Sequence, residues 1–297
     1  MIESLRPYVL LIRARTNRFN MVPIWLSANV VIALVASSFL SGRSLTSLGR
    51  DFVLSVLSMT TIVLSVYVYN DITDIEIDRI NKLDRPLVTG DASKSEAKNL
   101  VSLFAVVGLT SALLVNFQVF SLVLAYFVLL FSYSLPYVRL KNKFLLNKVA
   151  ISFGTAISYL VGGATIGTIP APVLLLAVFG FMSSLAMSSV NDLRDIEGDR
   201  IYKVKTLPVV WGPTLTIRFT LALVLSAGIA TVLGYLQLGF NIAFPILASC
   251  AFAGWIYVIY PLLRHWDDPS YVRNTLAKKI VPIGFLLQAL TVLGAII

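Results

Sequence analysis

The sequence predicts an all-α, polytopic membrane protein folded as a single domain over residues 1–297, and three observations predict it. Hydrophobic residues make up 57% of the chain and charged residues only 13%, with a mean hydropathy of +0.84; soluble domains carry roughly a quarter charged residues. About nine apolar runs are long enough to cross a bilayer, at residues 22–40, 52–69, 97–115, 118–136, 147–167, 171–190, 215–236, 241–262 and 280–297. Of the 24 lysines and arginines, all but Arg43 and Arg50 fall before the first span, in alternate loops, or in the helix turns bordering those loops. By the positive-inside rule that side, with the N-terminus, is cytoplasmic. The net charge of +9 is therefore a topology signal. Membrane lipid is an expected partner and nucleic acid is not.

In chain order, the N-terminal segment is basic and mildly amphipathic, without the layout of a cleaved signal. Leu10 to Arg18 is expected at the membrane surface, its arginines serving as headgroup anchors, the commoner case, or as phosphate contacts. Ser41 to Asp51 is a short external loop. Span 2 ends in Val66-Tyr67-Val68-Tyr69 and delivers an acidic stretch to the cytoplasmic mouth. Pro86 and Gly90 mark a turn, and Ser93 with Glu96 forms a capping box opening span 3. Spans 3 and 4 are scaffold, joined near Asn116. Span 4 ends in Phe131 to Lys143, a basic and aromatic stretch without an acid of its own. Span 5 carries Val161-Gly162-Gly163-Ala164, small residues that permit close helix packing or leave room for a long apolar ligand. Thr168 to Pro172 is an external turn. Span 6 ends in a second acidic stretch, followed by Arg200, Lys203, Lys205 and the turn from Pro208 to Gly212. Spans 7 and 8 return to scaffold. The last cytoplasmic loop holds the only histidine, His265, read as solvent-exposed, and Asp267-Asp268, read as a helix cap. The single cysteine, Cys250, excludes an intramolecular disulfide and a cysteine-based zinc site. Its apolar run predicts a buried residue.

Function is concentrated in the two acidic stretches. In Asn70-Asp71-Ile72-Thr73-Asp74-Ile75-Glu76-Ile77-Asp78, at about 100° per helical residue, Asp74, Asp78 and Asp71 lie roughly 40°, 80° and 100° from Asn70. Four oxygen-bearing side chains thus share one helix face. Asn191-Asp192-Leu193-Arg194-Asp195-Ile196-Glu197-Gly198-Asp199 repeats the offsets and predicts the same face. The match continues: Asp78-Arg79-Ile80 aligns with Asp199-Arg200-Ile201 and, after one inserted residue, Pro86 to Gly90 with Pro208 to Gly212. A duplicated unit of this kind predicts two acidic helices facing one cavity. Carboxylates so crowded repel one another unless a cation lies among them, and hard divalent ions such as Mg²⁺ prefer oxygen ligands and share them with phosphates. Two or more Mg²⁺ ions clamping one diphosphate fit the pattern. A substrate with a diphosphate head and a long hydrocarbon tail, such as an isoprenyl diphosphate, fits the mouth of an apolar bundle.

Other readings are open to the same residues. Carboxylates at span ends can be interfacial charges paired with lysine or arginine. A transporter or channel with acidic ion sites would also carry a repeat, although inverted repeats place their sites on opposite sides. A terpene cyclase or diphosphatase would use an internal alkene or water as nucleophile.

The motifs resemble those of the UbiA superfamily of intramembrane prenyltransferases: N-D-x-x-D-x-x-x-D at Asn70–Asp78, D-x-x-D-x-x-x-D at Asp192–Asp199, D-R-P-L-V-x-G at Asp84–Gly90, Y-S-x-P-x-x-R-L-K at Tyr133–Lys141 with Asn147, and E-G-D-R…K-T-L-P at Glu197–Pro208. The resemblance covers nearly the whole chain. It implies helices in a ring around a central cavity with a cytoplasmic polar cap, and Mg²⁺-dependent transfer from a donor such as geranylgeranyl diphosphate to a lipophilic or aromatic acceptor. Carried onto this chain, Asn70, Asp71, Asp74 and Asp78 are ligands of one metal site, and Asn191, Asp192, Asp195 and Asp199 of the other. Lys82, Arg85, Arg139, Lys141 and Lys205 are diphosphate contacts, and Tyr133 and Asn147 lie near the reacting carbon. Aromatic faces at Tyr67, Tyr69 or Tyr133 would stabilise an allylic cation. The implied acceptors are a quinone precursor such as 4-hydroxybenzoate, geranylgeranylglyceryl phosphate, or a chlorin. The Tyr133–Lys141 and Val190–Arg200 stretches are similar to the chlorophyll synthase branch, and the Asp195–Pro208 stretch is equally similar to the ether-lipid branch.

Overall fold

A computed structural model describes residues 2–12, 22–80, 85–201, 203–238 and 241–280, together with 282–284, 286–287 and 290. Every regular element among them is helical. In order these are α1 (Ile2–Leu11), α2 (Val22–Ser41), α3 (Gly49–Ile80), α4 (Pro86–Thr89), α5 (Lys94–Val115), α6 (Phe117–Ser134), α7 (Leu146–Ala164), α8 (Ala171–Asn191), α9 (Ile196–Ile201), α10 (Leu207–Val210), α11 (Pro213–Leu238), α12 (Ala243–Ile259), α13 (Leu262–His265) and α14 (Pro269–Thr275). Seven described helices (α2, α3, α5, α6, α8, α11 and α12) are long and apolar enough to cross a membrane. The fifth expected span, α7, is not among the seven because it carries the buried polar residues Asn147, Lys148, Ser152, Thr155 and Ser158. The ninth, at 280–297, lies mostly outside the described residues, as do Arg13, Arg15 and Arg18.

Capping chemistry sets several boundaries. Ser93 and Glu96 form the expected capping box at α5. The Asn116 side chain accepts from the Val119 N–H at 2.8 Å and starts α6, and Asp268 accepts from the N–H groups of Ser270 and Tyr271 to start α14. The loops expected outside meet at one end of the bundle. Arg43 donates to the Ile166 carbonyl at 3.0 Å, Arg50 to the Leu114 carbonyl at 3.3 Å, and the Asn116 amide to the Ala164 carbonyl at 2.9 Å. The only two positive charges assigned to that side are thus held by backbone carbonyls.

Helices adjacent in sequence pack side by side, and α2 crosses to α7. One core cluster joins α2, α7, α8, α11 and α12 around Tyr159, Phe252 and Trp255, and a second joins α2, α3, α6 and α7 around Met59, Ile62 and Tyr126. Buried polar pairs tie the spans: Asn29 donates to Ser158 at 3.0 Å, and Ser55 bonds Thr165 at 2.8 Å. Such bonds hold helices together where lipid offers no contrast in hydrophobicity. Of the two uses expected for the small residues of α7, Gly162 serves packing. A Cβ on it would stand 2.2 Å from the Val30 carbonyl oxygen and 2.8 Å from the Ala33 Cβ. Gly162→Ala is expected to cost about 1–3 kcal/mol through overpacking, read as a fall in the thermal midpoint in detergent. An unchanged midpoint would show that α2 and α7 are not in close contact.

One residue departs from expectation. Cys250 is exposed, because α12 is apolar all round and an apolar side chain meets no penalty facing lipid.

Candidate active site

The first acidic motif is a continuation of α3. Ile75 packs with Leu87, Ala92, Ala97 and Leu100, with Ile72 beside them, so the apolar positions between the acids keep the helix intact to Ile80. The predicted shared face is present. Asp71 and Asp78, 3% and 5% exposed, are bridged by one guanidinium: Arg85 Nη1 donates to Asp71 Oδ1, and Arg85 Nε lies 3.0 Å from Asp78 Oδ2. Arg85 is the N-cap of α4, whose fixed start at Pro86 and left-handed end at Gly90 (φ 87°) aim the preceding residue back at α3. Asp74 takes the Lys141 ammonium on Oδ1, with Arg139 Nη2 3.9 Å away. Asn70 Oδ1 accepts from Ser134 at 2.7 Å and from Lys141 at 3.4 Å.

The second motif departs from the prediction of an equal helix face. Helix α8 ends at Asn191, a 3-10 turn spans Asp192–Arg194, and Asp195 (φ −117°, ψ 12°) breaks the helix before α9. Gly198 here replaces Ile77 of the first copy, and glycine is about 1 kcal/mol poorer than alanine as a helix former. The three acids therefore separate. Asp192 Oδ1 accepts from Lys148 Nζ at 2.5 Å, while its buried Oδ2 has no partner. Asp199 accepts from the Thr206 hydroxyl at 3.0 Å. Asp195 is exposed and pairs with its neighbour Arg194 at 3.1 Å. The turn of the repeat is reproduced: α10 ends before Gly212 (φ 83°) as α4 ends at Gly90.

One connection joins the two halves. The chain between α6 and α7 passes Arg139 in the left-handed region (φ 42°) and enters the first turn of α7 after Leu145 (φ 63°), conformations that cost a non-glycine residue of order 1–3 kcal/mol. That path sends Lys141 to Asp74 of the first motif and Lys148 to Asp192 of the second. Tyr133, at the end of α6, stands within electrostatic reach of Tyr67, Asp192 and Asp74 together. Both motifs thus lie at the end of the bundle opposite Arg43 and Arg50.

Other expected residues are placed as follows. Asn147 is buried, its Oδ1 accepting from the Lys148 N–H at 2.7 Å. Asn191 ends α8 beside Asp192. Lys205 is exposed and makes no ion pair among the described residues, and Lys82 lies outside them. The Tyr69 ring stacks on Phe131 at 3.8 Å, which covers one of its faces, and of the three tyrosines Tyr133 is the one within electrostatic reach of Asp74 and Asp192. Sequence reasoning missed Ser134, Thr206 and Lys148 as partners of the acids. Lys148 carried no separate signal, because a lysine opening an apolar span reads as an interfacial charge.

The electrostatics follow from burial. Desolvation lowers the pKa of Lys141 against the hydrogen bond and charge of Asp74, which raise it. Burial raises that of Asp199 against its bond from Thr206. The acids are all-oxygen donors and Asp192 keeps one buried oxygen unclaimed, so in chemistry they fit a hard divalent cation. Among the described residues no three acidic side chains converge on one point, and Arg85, Lys141 and Lys148 pair with Asp71, Asp78, Asp74 and Asp192 instead. A metal would take over carboxylates that these cations now hold.

Comparison with known proteins agrees. The model of the UbiA prenyltransferase family matches residues 29–276. A digeranylgeranylglyceryl phosphate synthase of Methanocaldococcus jannaschii is 32% identical over 229 residues, 77% of this chain and 78% of its own. A structure described as giving structural and mechanistic insights into the biosynthesis of digeranylgeranylglyceryl phosphate synthase in membranes superposes with a TM-score of 0.78 at 27% identity, covering 100% of this chain and 99% of that one. A UbiA homolog from Archaeoglobus fulgidus, solved with GPP and Mg²⁺, shares the fold with a TM-score of 0.72 at 20% identity, over 98% of each chain. The chain belongs to the UbiA prenyltransferase family and is an integral membrane enzyme, a prenyltransferase.

Proposed function

We propose that the protein, acting as one domain over residues 1–297, moves a geranylgeranyl group from geranylgeranyl diphosphate to the free hydroxyl of geranylgeranylglyceryl phosphate at the cytoplasmic face, with Mg²⁺ as cofactor. The relatives' name supports the acceptor over a quinone precursor or chlorin, the Mg²⁺ bound to the Archaeoglobus homolog supports the metal, and the charge distribution supports the side. The observation that carries the reading is the stretch from the α6–α7 connection into the first turn of α7, which supplies Lys141 and Lys148 to the two acidic motifs at one end of the bundle. Inverted transporter repeats would put those motifs at opposite ends.

Asn70, Asp71, Asp74 and Asp78 would hold metal on one side and Asn191, Asp192, Asp195 and Asp199 on the other, and bound Mg²⁺ supplies positive charge to the departing diphosphate. Arg85 and Lys141, released from their carboxylates, and Arg139, whose buried Nε has no partner, bind phosphate oxygens; Lys82 and Lys205 are further contacts. The bond from isoprenyl C1 to the diphosphate oxygen breaks, its electron pair leaving with the diphosphate. Tyr67 and Tyr133 face the allylic cation and exclude water from it. The acceptor oxygen then bonds to C1 and gives up its proton.

Purified protein with radiolabelled geranylgeranyl diphosphate and Mg²⁺ is expected to form an ether product with geranylgeranylglyceryl phosphate and none with 4-hydroxybenzoate. A labelled product that forms without acceptor would mark a cyclase or diphosphatase instead. Absence of diphosphate release with every acceptor would overturn the reading.

A further inference from the structure

Lys148 is the only lysine or arginine buried among the described residues, at 7% exposure. It comes from the first turn of a bundle helix, whereas the cations of the first motif come from loops and are more exposed. Its main chain is fixed on both sides: Asn147 Oδ1 accepts its N–H at 2.7 Å, and its carbonyl accepts from the Ser152 hydroxyl at 2.8 Å. Its ammonium makes one hydrogen bond, to Asp192 Oδ1 at 2.5 Å, and the other oxygen of that carboxylate is buried and unpartnered. A largely buried carboxylate needs a counter-charge, and Lys148 supplies one to Asp192.

We infer that Lys148 is a resident cation of the second motif, which competes with divalent metal for Asp192 and turns to the diphosphate once metal has displaced it. The inference rests on the metal reading above. It makes metal binding at this motif weak until the diphosphate offers Lys148 a new partner. Metal and donor then favour each other's binding, since such coupling is reciprocal.

The test is a Mn²⁺ titration of purified protein in detergent without donor, with free Mn²⁺ read by electron paramagnetic resonance. Lys148→Met and the hydrogen-bonding Lys148→Gln are expected to bind Mn²⁺ about tenfold or more tightly than wild type, since one adjacent charge shifts a carboxylate's proton affinity by about 1–3 pK units. Lys148→Arg keeps the wild-type affinity. Both neutral variants should melt earlier without metal and gain more from Mn²⁺ than wild type does; a purely structural lysine would give the early melting without the gain. If wild type binds Mn²⁺ and the neutral variants bind it no tighter, this inference alone falls. If none of the proteins binds Mn²⁺, the metal reading falls with it.

Discussion

Asp74→Ala is expected to lose on the order of 10³-fold in kcat while eluting as folded protein in detergent. Removing one preorganised electrostatic group from a transition state costs about 10²–10³-fold, and Asp74 combines two such roles. It is a metal ligand in the proposed mechanism, and it positions Lys141, with Arg139 3.9 Å away. The side chain is partly exposed and sits at the mouth, so its loss leaves the bundle core intact. Diphosphate release at saturating donor and Mg²⁺ measures the effect. Retention of more than a few per cent of wild-type turnover would remove Asp74 from the site.

Arg85→Leu is expected to act on stability and donor binding together. Its guanidinium holds Asp71 and Asp78, both buried on one face of α3. Removing one partner of a buried ion pair costs about 3–5 kcal/mol, reduced here because the Arg85 side chain is 24% exposed. The thermal midpoint should fall, Mg²⁺ should restore part of it by giving the two carboxylates a new cation, and KM for the donor should rise. Arg85→Lys should fall between, since a single ammonium cannot span two carboxylates as the planar fork does. A midpoint that Mg²⁺ leaves unmoved would show that the two acids do not receive metal.

Much of this was legible in the chain. The apolar runs place α2 and α8 within a residue or two of their observed ends, because spanning length and apolar composition are properties of a segment alone. The repeat was legible down to its turns, since Gly90 and Gly212 are required by a left-handed backbone wherever they occur. What was hidden depends on neighbours distant in sequence. Spacing put Asp192, Asp195 and Asp199 on one helix face, but the break at Asp195 turns that acid outward to Arg194. Lys148 was counted as a topology charge, and only the packing of α7 on α8 shows its partner. Tyr69 was one of three equivalent tyrosines until Phe131 covered one face of its ring. Cys250 was misjudged because the soluble rule that apolar runs are buried does not hold beside lipid.

The central claim is that both acidic motifs grip one diphosphate through divalent metal. Anomalous diffraction from crystals grown with Mn²⁺ and a non-hydrolysable geranylgeranyl diphosphate analogue tests it most directly. The account predicts Mn²⁺ peaks beside Asp71–Asp78 and beside Asp192–Asp199, both in contact with the same diphosphate and with Lys141 and Lys148 turned toward it. A diphosphate bound away from both motifs, or peaks at only one with Lys148 still on Asp192, would contradict it.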